Sequence, residues 1–101
     1  MQKLLTDNLN QIKTLCDTHN VNSLYAFGSV LNEKFNEQSD IDLLISFNAM
    51  DSGDYADTYF ELAEEFEKVF NRSVDLVTEK SLSNPYFIES VNKSKTLLYG
   101  N

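Results

Sequence analysis

Apolar residues along the chain recur with two periods, one near 3.6 residues and one of 2, and the changes between them divide the sequence into helices and strands. Leu5, Leu9, Ile12 and Cys16 stand three or four residues apart, with Leu4 and Leu15 beside them, which predicts an amphipathic helix over residues 2–19. After the turn-prone pair His19-Asn20, Val21–Phe27 is apolar and aromatic enough for a buried strand that stops at Gly28. Gly28-Ser29 opens Val30-Leu31-Asn32-Glu33-Lys34-Phe35, room for one or two helical turns, before the polar loop Asn36-Glu37-Gln38-Ser39.

Residues 40–47 form the clearest predicted strand, with Ile41, Leu43, Ile45 and Phe47 on one face and Asp40, Asp42, Leu44 and Ser46 on the other. Past the helix-starting residues Asp51-Ser52-Gly53-Asp54, the positions Tyr55, Tyr59, Leu62, Ala63, Phe66, Val69 and Phe70 predict a second amphipathic helix ending near Asn71. Val74-Asp75-Leu76-Val77 reads as a third strand with one acid among apolar neighbours. A last helix is expected over residues 84–92, with Pro85 in its first turn. Residues 95–99 read equally as a helix end or an edge strand. The alternation of helices and strands predicts an α/β fold, a small mixed or mainly parallel sheet backed by helices. No repeat, linker or low-complexity tract interrupts it, so residues 1–101 are expected to form one domain.

Composition narrows the function classes. Sixteen acidic against 8 basic residues give a net charge of −8, which opposes a sequence-independent grip on nucleic acid. The same excess fits a solvated surface, a basic partner protein or a cation site. Cys16 is the only cysteine, so no internal disulfide is expected and the cytoplasm is the default location. The N-terminal segment lacks the continuous apolar run of a signal peptide, and no stretch approaches a membrane span.

Candidate chemistry resides in one spaced pattern: Gly28-Ser29, ten residues, Asp40-Ile41-Asp42, and Asp75 on a later strand. Glycine lets the backbone turn and approach a phosphate closely, while Ser29 offers a hydroxyl and free amides to phosphate oxygens. Asp40 and Asp42, two apart on one strand face, suit hard oxygen-preferring cations such as Mg²⁺, and Asp75 would add a third carboxylate. Carboxylates crowded in this way repel one another unless a cation offsets them. Blander roles remain open beside these: Gly28-Ser29 as an ordinary strand-to-helix turn, Asp40 as a cap, Asp42 as part of a solvated face, and Asp75 as an edge-strand charge.

Other eye-catching residues read as structural. Ser39 fits a turn, His19 a helix end, and Cys16 the apolar stripe. Tyr55, Tyr59, Phe60, Phe66 and Phe70 read as core, with Tyr55 able to reach a partner. Glu61, Glu64, Glu65 and Glu67 read as the wet face of their helix.

At Gly28, Ser29, Asp40, Asp42 and Asp75 the chain resembles the minimal nucleotidyltransferase branch of the polymerase-beta-like superfamily, whose motif is Gly-Ser, about ten residues, Asp-x-Asp, and a third acid on a following strand. The likeness runs through the FGS turn, the SDIDLLI and VDLV strands and the LLYG tail. It implies transfer of a nucleoside monophosphate, most simply AMP from ATP, onto a hydroxyl with release of pyrophosphate. Asp40, Asp42 and Asp75 would be catalytic and hold two Mg²⁺ ions, and Gly28 and Ser29 would hold the triphosphate. It also implies a HEPN-domain toxin as partner, a toxin tyrosine as acceptor, and the role of a type VII antitoxin of the MntA kind. A catalytically weak antitoxin that only occludes its partner is the alternative. Modification of a small molecule is a third reading, for which the chain is short. Where many relatives carry an Arg-Gly-Glu-Ala-like segment, this chain has Leu31-Asn32-Glu33-Lys34, with Lys34 as the available charge.

Overall fold

The computed structural model describes residues 2–31, 35–36 and 38–100. Its elements run α1 (Lys3–Asp7), α2 (Leu9–Thr18), β1 (Val21–Phe27), a 3₁₀ turn (Gly28–Leu31), β2 (Ile41–Phe47), α3 (Ser52–Phe70), β3 (Val74–Thr78), a second 3₁₀ turn (Glu79–Ser81), α4 (Pro85–Ser94) and β4 (Thr96–Tyr99). After Gly28 the described residues form the 3₁₀ turn, and Asn32, Glu33 and Lys34 of the expected helical turns, with Glu37 of the expected loop, lie outside the described residues.

The predicted first helix is broken in two at Asn8, which leaves helical geometry at φ −108° and ψ 9°. Its Nδ2 donates to the Leu4 carbonyl at 2.8 Å. A short amide side chain that bonds the preceding turn competes with the helical ladder, and this is where the continuous apolar period gives way. The stripe survives the break, because Leu5, Ile12 and Cys16 are all fully buried. Burial above all pushes the Cys16 thiol up to about 12, with Asp17 adding to the shift, so it behaves as a packed apolar group.

The sheet is mixed, in the order β3-β2-β1-β4. Only β2 and β3 run parallel; β1 is antiparallel to both β2 and β4. This corrects the mainly parallel alternative. A parallel pair needs a crossover that carries the chain back across the sheet, and α3 is the helix that does so; the link from β1 to β2 returns the chain antiparallel. The ambiguous C-terminal segment is an edge strand, β4, paired with β1.

Helices cover both faces. Ile41, Leu43 and Ile45 of β2 meet Leu5, Ile12, Leu62 and Phe66 in the main core, whereas Leu44 joins Phe27 and Val91 in a smaller cluster on the opposite face, beneath α4. Asp42 alternates with Leu44 and therefore opens onto this second face. Of the aromatics expected in the core, Phe66 and Phe70 are buried, but Phe60 is 69% exposed, because it steps off the stripe that Tyr59, Leu62 and Phe66 define.

The outer edge of β3 is covered by side chains. Glu67 Oε2 accepts from the Val74 amide at 3.1 Å, the Tyr59 hydroxyl donates to the Leu76 carbonyl, and Ser81 Oγ donates to the Thr78 carbonyl at 2.8 Å. Three of the backbone groups that would template another strand are thereby occupied.

Candidate active site

The end of β1 and the starts of β2 and β3 lie side by side in the sheet. Phe27 is the register partner of Asp42, and Asp42 is the register partner of Asp75. Paired residues on neighbouring strands project to the same face. Asp42 therefore stands between the Gly28 bend and Asp75, and the two strands bring these two carboxylates together as their spacing predicts. Asp40 lies one residue before β2, so it is a loop residue at the strand's threshold and not its first member.

Electrostatics confirm the crowding. The Asp42 carboxyl is held above the usual carboxylate range, first by burial, then by the charge of Asp75, then by that of Asp40. All three acids thus share one field. Among the described residues no group of three His, Cys, Asp or Glu side chains closes on a single ion position. The acids line an open sheet end, an arrangement suited to a cation that keeps water and substrate oxygens among its ligands.

Gly28 adopts φ +76°, a conformation that L side chains rarely take. A Cβ built on it would overlap Oδ2 of Asp42, with Cγ at 3.3 Å and Cβ at 3.4 Å. The bend is consequently pressed directly against the central carboxylate, and only a residue without a side chain allows it. Ser29 follows in the first positions of the 3₁₀ turn, half-buried, and Val30 anchors that turn in the core.

The loop before Asp40 is held by a residue that motif reasoning missed. Arg72 Nη1 donates to the Asn36 carbonyl at 2.9 Å and to the Ser39 carbonyl at 3.1 Å, and its guanidinium carbon sits 4.7 Å from the centre of the Phe35 ring. The Ile41 amide donates to the Ser73 carbonyl at 3.1 Å, next along the chain from Arg72. Ser39 completes the turn through its hydroxyl, which accepts from the Asn36 amide at 3.1 Å, as its turn role anticipates. A signal was present in the sequence: Arg72 is a rare cation in an acidic chain, two residues before the strand that carries Asp75. Arg72→Ala is expected to free the Asp40 loop and lower kcat by about 10–100-fold, the usual cost of removing a group that orients a site residue. Arg72→Lys should rescue only in part, since an ammonium can donate to the carbonyls but lacks the planar guanidinium that lies over the Phe35 ring. Full activity in the alanine variant, with loss confined to thermal stability, would reduce Arg72 to a packing residue.

Beside Asp75, a cleft of about 470 Å³ runs between α3 and β3, lined in part by Tyr55, Tyr59, Phe60 and Ser81. Burial first, then Asp75, then Tyr55 hold the Tyr59 phenol in its protonated form, as its donated hydrogen bond requires. Another cleft of about 430 Å³ lies at the far ends of β2 and β3 and includes none of the predicted site residues. His19 belongs to the end of α2, where its Nδ1 bonds the Leu15 carbonyl at 2.8 Å. No described helix is long and apolar enough to cross a membrane.

Comparison with known proteins shows the family and the fold. The family described as "Polymerase beta, Nucleotidyltransferase" matches residues 10–101. A candidate protein adenylyltransferase of Methanocaldococcus jannaschii is 37% identical over 81 residues, which is 80% of either chain. Among solved structures, a candidate minimal nucleotidyltransferase superposes with a TM-score of 0.75 at 28% identity, covering 94% of this chain and 95% of that one. A toxin–antitoxin complex with AMP-PNP gives 0.72 at 26% identity, covering 93% of this chain and 74% of the matched one. The complex of a tri-AMPylated Shewanella oneidensis HEPN toxin with its MNT antitoxin gives 0.65 at 25% identity, covering 95% and 72%.

Proposed function

The chain belongs to the polymerase beta nucleotidyltransferase family and is a nucleotidyltransferase, and from that premise we propose that it transfers AMP from ATP to a hydroxyl of a partner protein as an antitoxin. The observation that carries this reading is the register Phe27–Asp42–Asp75, which sets a phosphate-accommodating bend and two carboxylates in one row. Resemblance to a toxin–antitoxin complex with AMP-PNP and to one holding an AMPylated HEPN toxin supports the donor and the partner class. A tyrosine of a HEPN-type toxin is the proposed acceptor, in a type VII pair.

In this reading Gly28 lets the backbone come against the triphosphate, and Ser29 donates its hydroxyl to a phosphate oxygen. Asp40, Asp42 and Asp75 form an all-oxygen donor set, and the Asp42 carboxyl is raised first by burial and then by the charges of Asp75 and Asp40, a crowding that a bound cation would relieve, so these residues fit Mg²⁺. When bound, Mg²⁺ would make the acceptor hydroxyl more acidic and neutralise charge on the triphosphate and its leaving group. The acceptor enters from the cleft beside Asp75. Its oxygen attacks the α-phosphorus, Asp75 takes its proton, and the bond to the β-phosphate breaks so that pyrophosphate leaves with the electron pair. The protein's contribution is position and preorganised charge.

Labelled ATP offered to the purified chain together with a HEPN-domain toxin tests the proposal. Covalent label on the toxin with release of pyrophosphate is the expected result. Tight association without label would overturn transfer and favour the occluding antitoxin, the reading that Leu31-Asn32-Glu33-Lys34 in place of a basic segment supports.

A further inference from the structure

Two aromatic side chains at the start of α4 are exposed without any evident need of the fold: Tyr86 at 83% and Phe87 at 43%. The helix has other anchors besides them. Val91, one turn further on, is buried against Phe27 and Leu44, and Asn84 Oδ1 accepts from the amides of Tyr86 and Phe87 at 2.9 and 3.3 Å. With those amides closed by the cap, the first turn of α4 offers rings to solvent and not hydrogen-bond donors.

The place of the rings matters more than their exposure. Phe87 stacks edge-on against Phe27, with centroids 6.0 Å apart and planes at 79°. Phe27 is the residue before the Gly28 bend and the register partner of Asp42, and α4 packs against the 28–31 turn. Across the sheet the order is therefore Asp75, Asp42, then Phe27 with Phe87 beneath it, with neighbouring strands about 4.8 Å apart. The acceptor cleft occupies the Asp75 side. In an in-line displacement the leaving pyrophosphate, held at Gly28-Ser29, lies opposite the acceptor, so the nucleoside projects from the α-phosphorus to one side of the row, the side that α4 and its part-exposed Phe87 flank.

We propose that Phe87 is the platform on which the nucleobase of the bound triphosphate stacks, with the exposed Tyr86 ring at its rim. The inference rests on the nucleotidyltransferase reading and adds to it the base-binding residue. A flat apolar ring reads the π-face of a base and not its edge, so the platform selects for a base without strongly choosing which one.

Binding of Mg²⁺-ATP and of Mg²⁺-tripolyphosphate, the same three phosphates without a nucleoside, separates the possibilities. Phe87→Ala should weaken ATP about tenfold and leave tripolyphosphate unchanged. Phe87→Leu, which keeps an apolar contact on Phe27 but has no ring face, should behave likewise while melting at the wild-type temperature. The chain contains no tryptophan, so Phe87→Trp introduces a unique fluorophore that should retain ATP affinity and be quenched by ATP but not by tripolyphosphate. Equal ATP affinity in wild type and both ring-less variants, or equal loss for both ligands, overturns the stacking role. A wild-type chain that binds neither ligand overturns the functional reading and the platform with it.

Discussion

Asp42→Asn is expected to lower transfer by on the order of 10²–10³-fold or more, while raising the melting temperature of the metal-free domain at neutral pH. The two effects have one cause. The folded-state pKa of Asp42 lies above its ordinary value because of burial, Asp75 and Asp40, in that order. A carboxyl whose folded pKa is raised holds its proton more tightly folded than unfolded, so its ionised form costs stability at every pH above the folded value. The cost is relieved as pH falls through that raised pKa towards the ordinary carboxylate value. The variant's advantage should accordingly be full at pH 7 and vanish in acid. Added Mg²⁺ should raise the wild-type melting temperature more than that of the variant, since the variant has lost one carboxylate of the set. A variant less stable than wild type at pH 7, or one that retains transfer, would contradict the site assignment.

Gly28→Ala is the second large effect. The methyl group meets Asp42 and the positive φ together, so the bend must shift or the carboxylate must turn away. The left-handed conformation alone costs a non-glycine residue about 1–2 kcal/mol. Displacement of the phosphate bend by a fraction of a side-chain width should add a fall in kcat of about a hundredfold. Gly53→Ala provides the control: a Cβ there meets nothing within 4 Å, and both stability and turnover should be at least as high as in wild type. Normal turnover in Gly28→Ala would mean that the close approach of backbone to Asp42 plays no part in catalysis.

The local periods along the chain were sufficient to find β1, β2 and β3, because each is a short apolar run closed by turn residues or a helix, whereas the four residues of β4 are too few to tell a strand from a helix end. They did not reveal that β1 and β2 run antiparallel, since direction depends on how the 28–40 connection folds back and not on any period within the strands. The break at Asn8 was equally hidden, as its neighbours keep the helical stripe and only its own side chain interrupts the ladder. In the site, Gly28, Asp42 and Asp75 were legible from spacing because strand register converts sequence distance into lateral proximity. Arg72 and Phe87 were not. Both are placed by contacts with Asn36, Ser39 and Phe27, positions remote in sequence, and no motif records such pairs.

The side chains bonded along the outer edge of β3 bear on how copies of this molecule behave when concentrated. An uncapped edge strand invites a neighbouring chain to continue the ladder, and the sheet would then grow from molecule to molecule. Here Glu67, Tyr59 and Ser81 meet that invitation from within the same chain. The edge beside Asp75 can therefore face a crowded solution and still receive a visiting side chain, without drawing its visitor into the sheet.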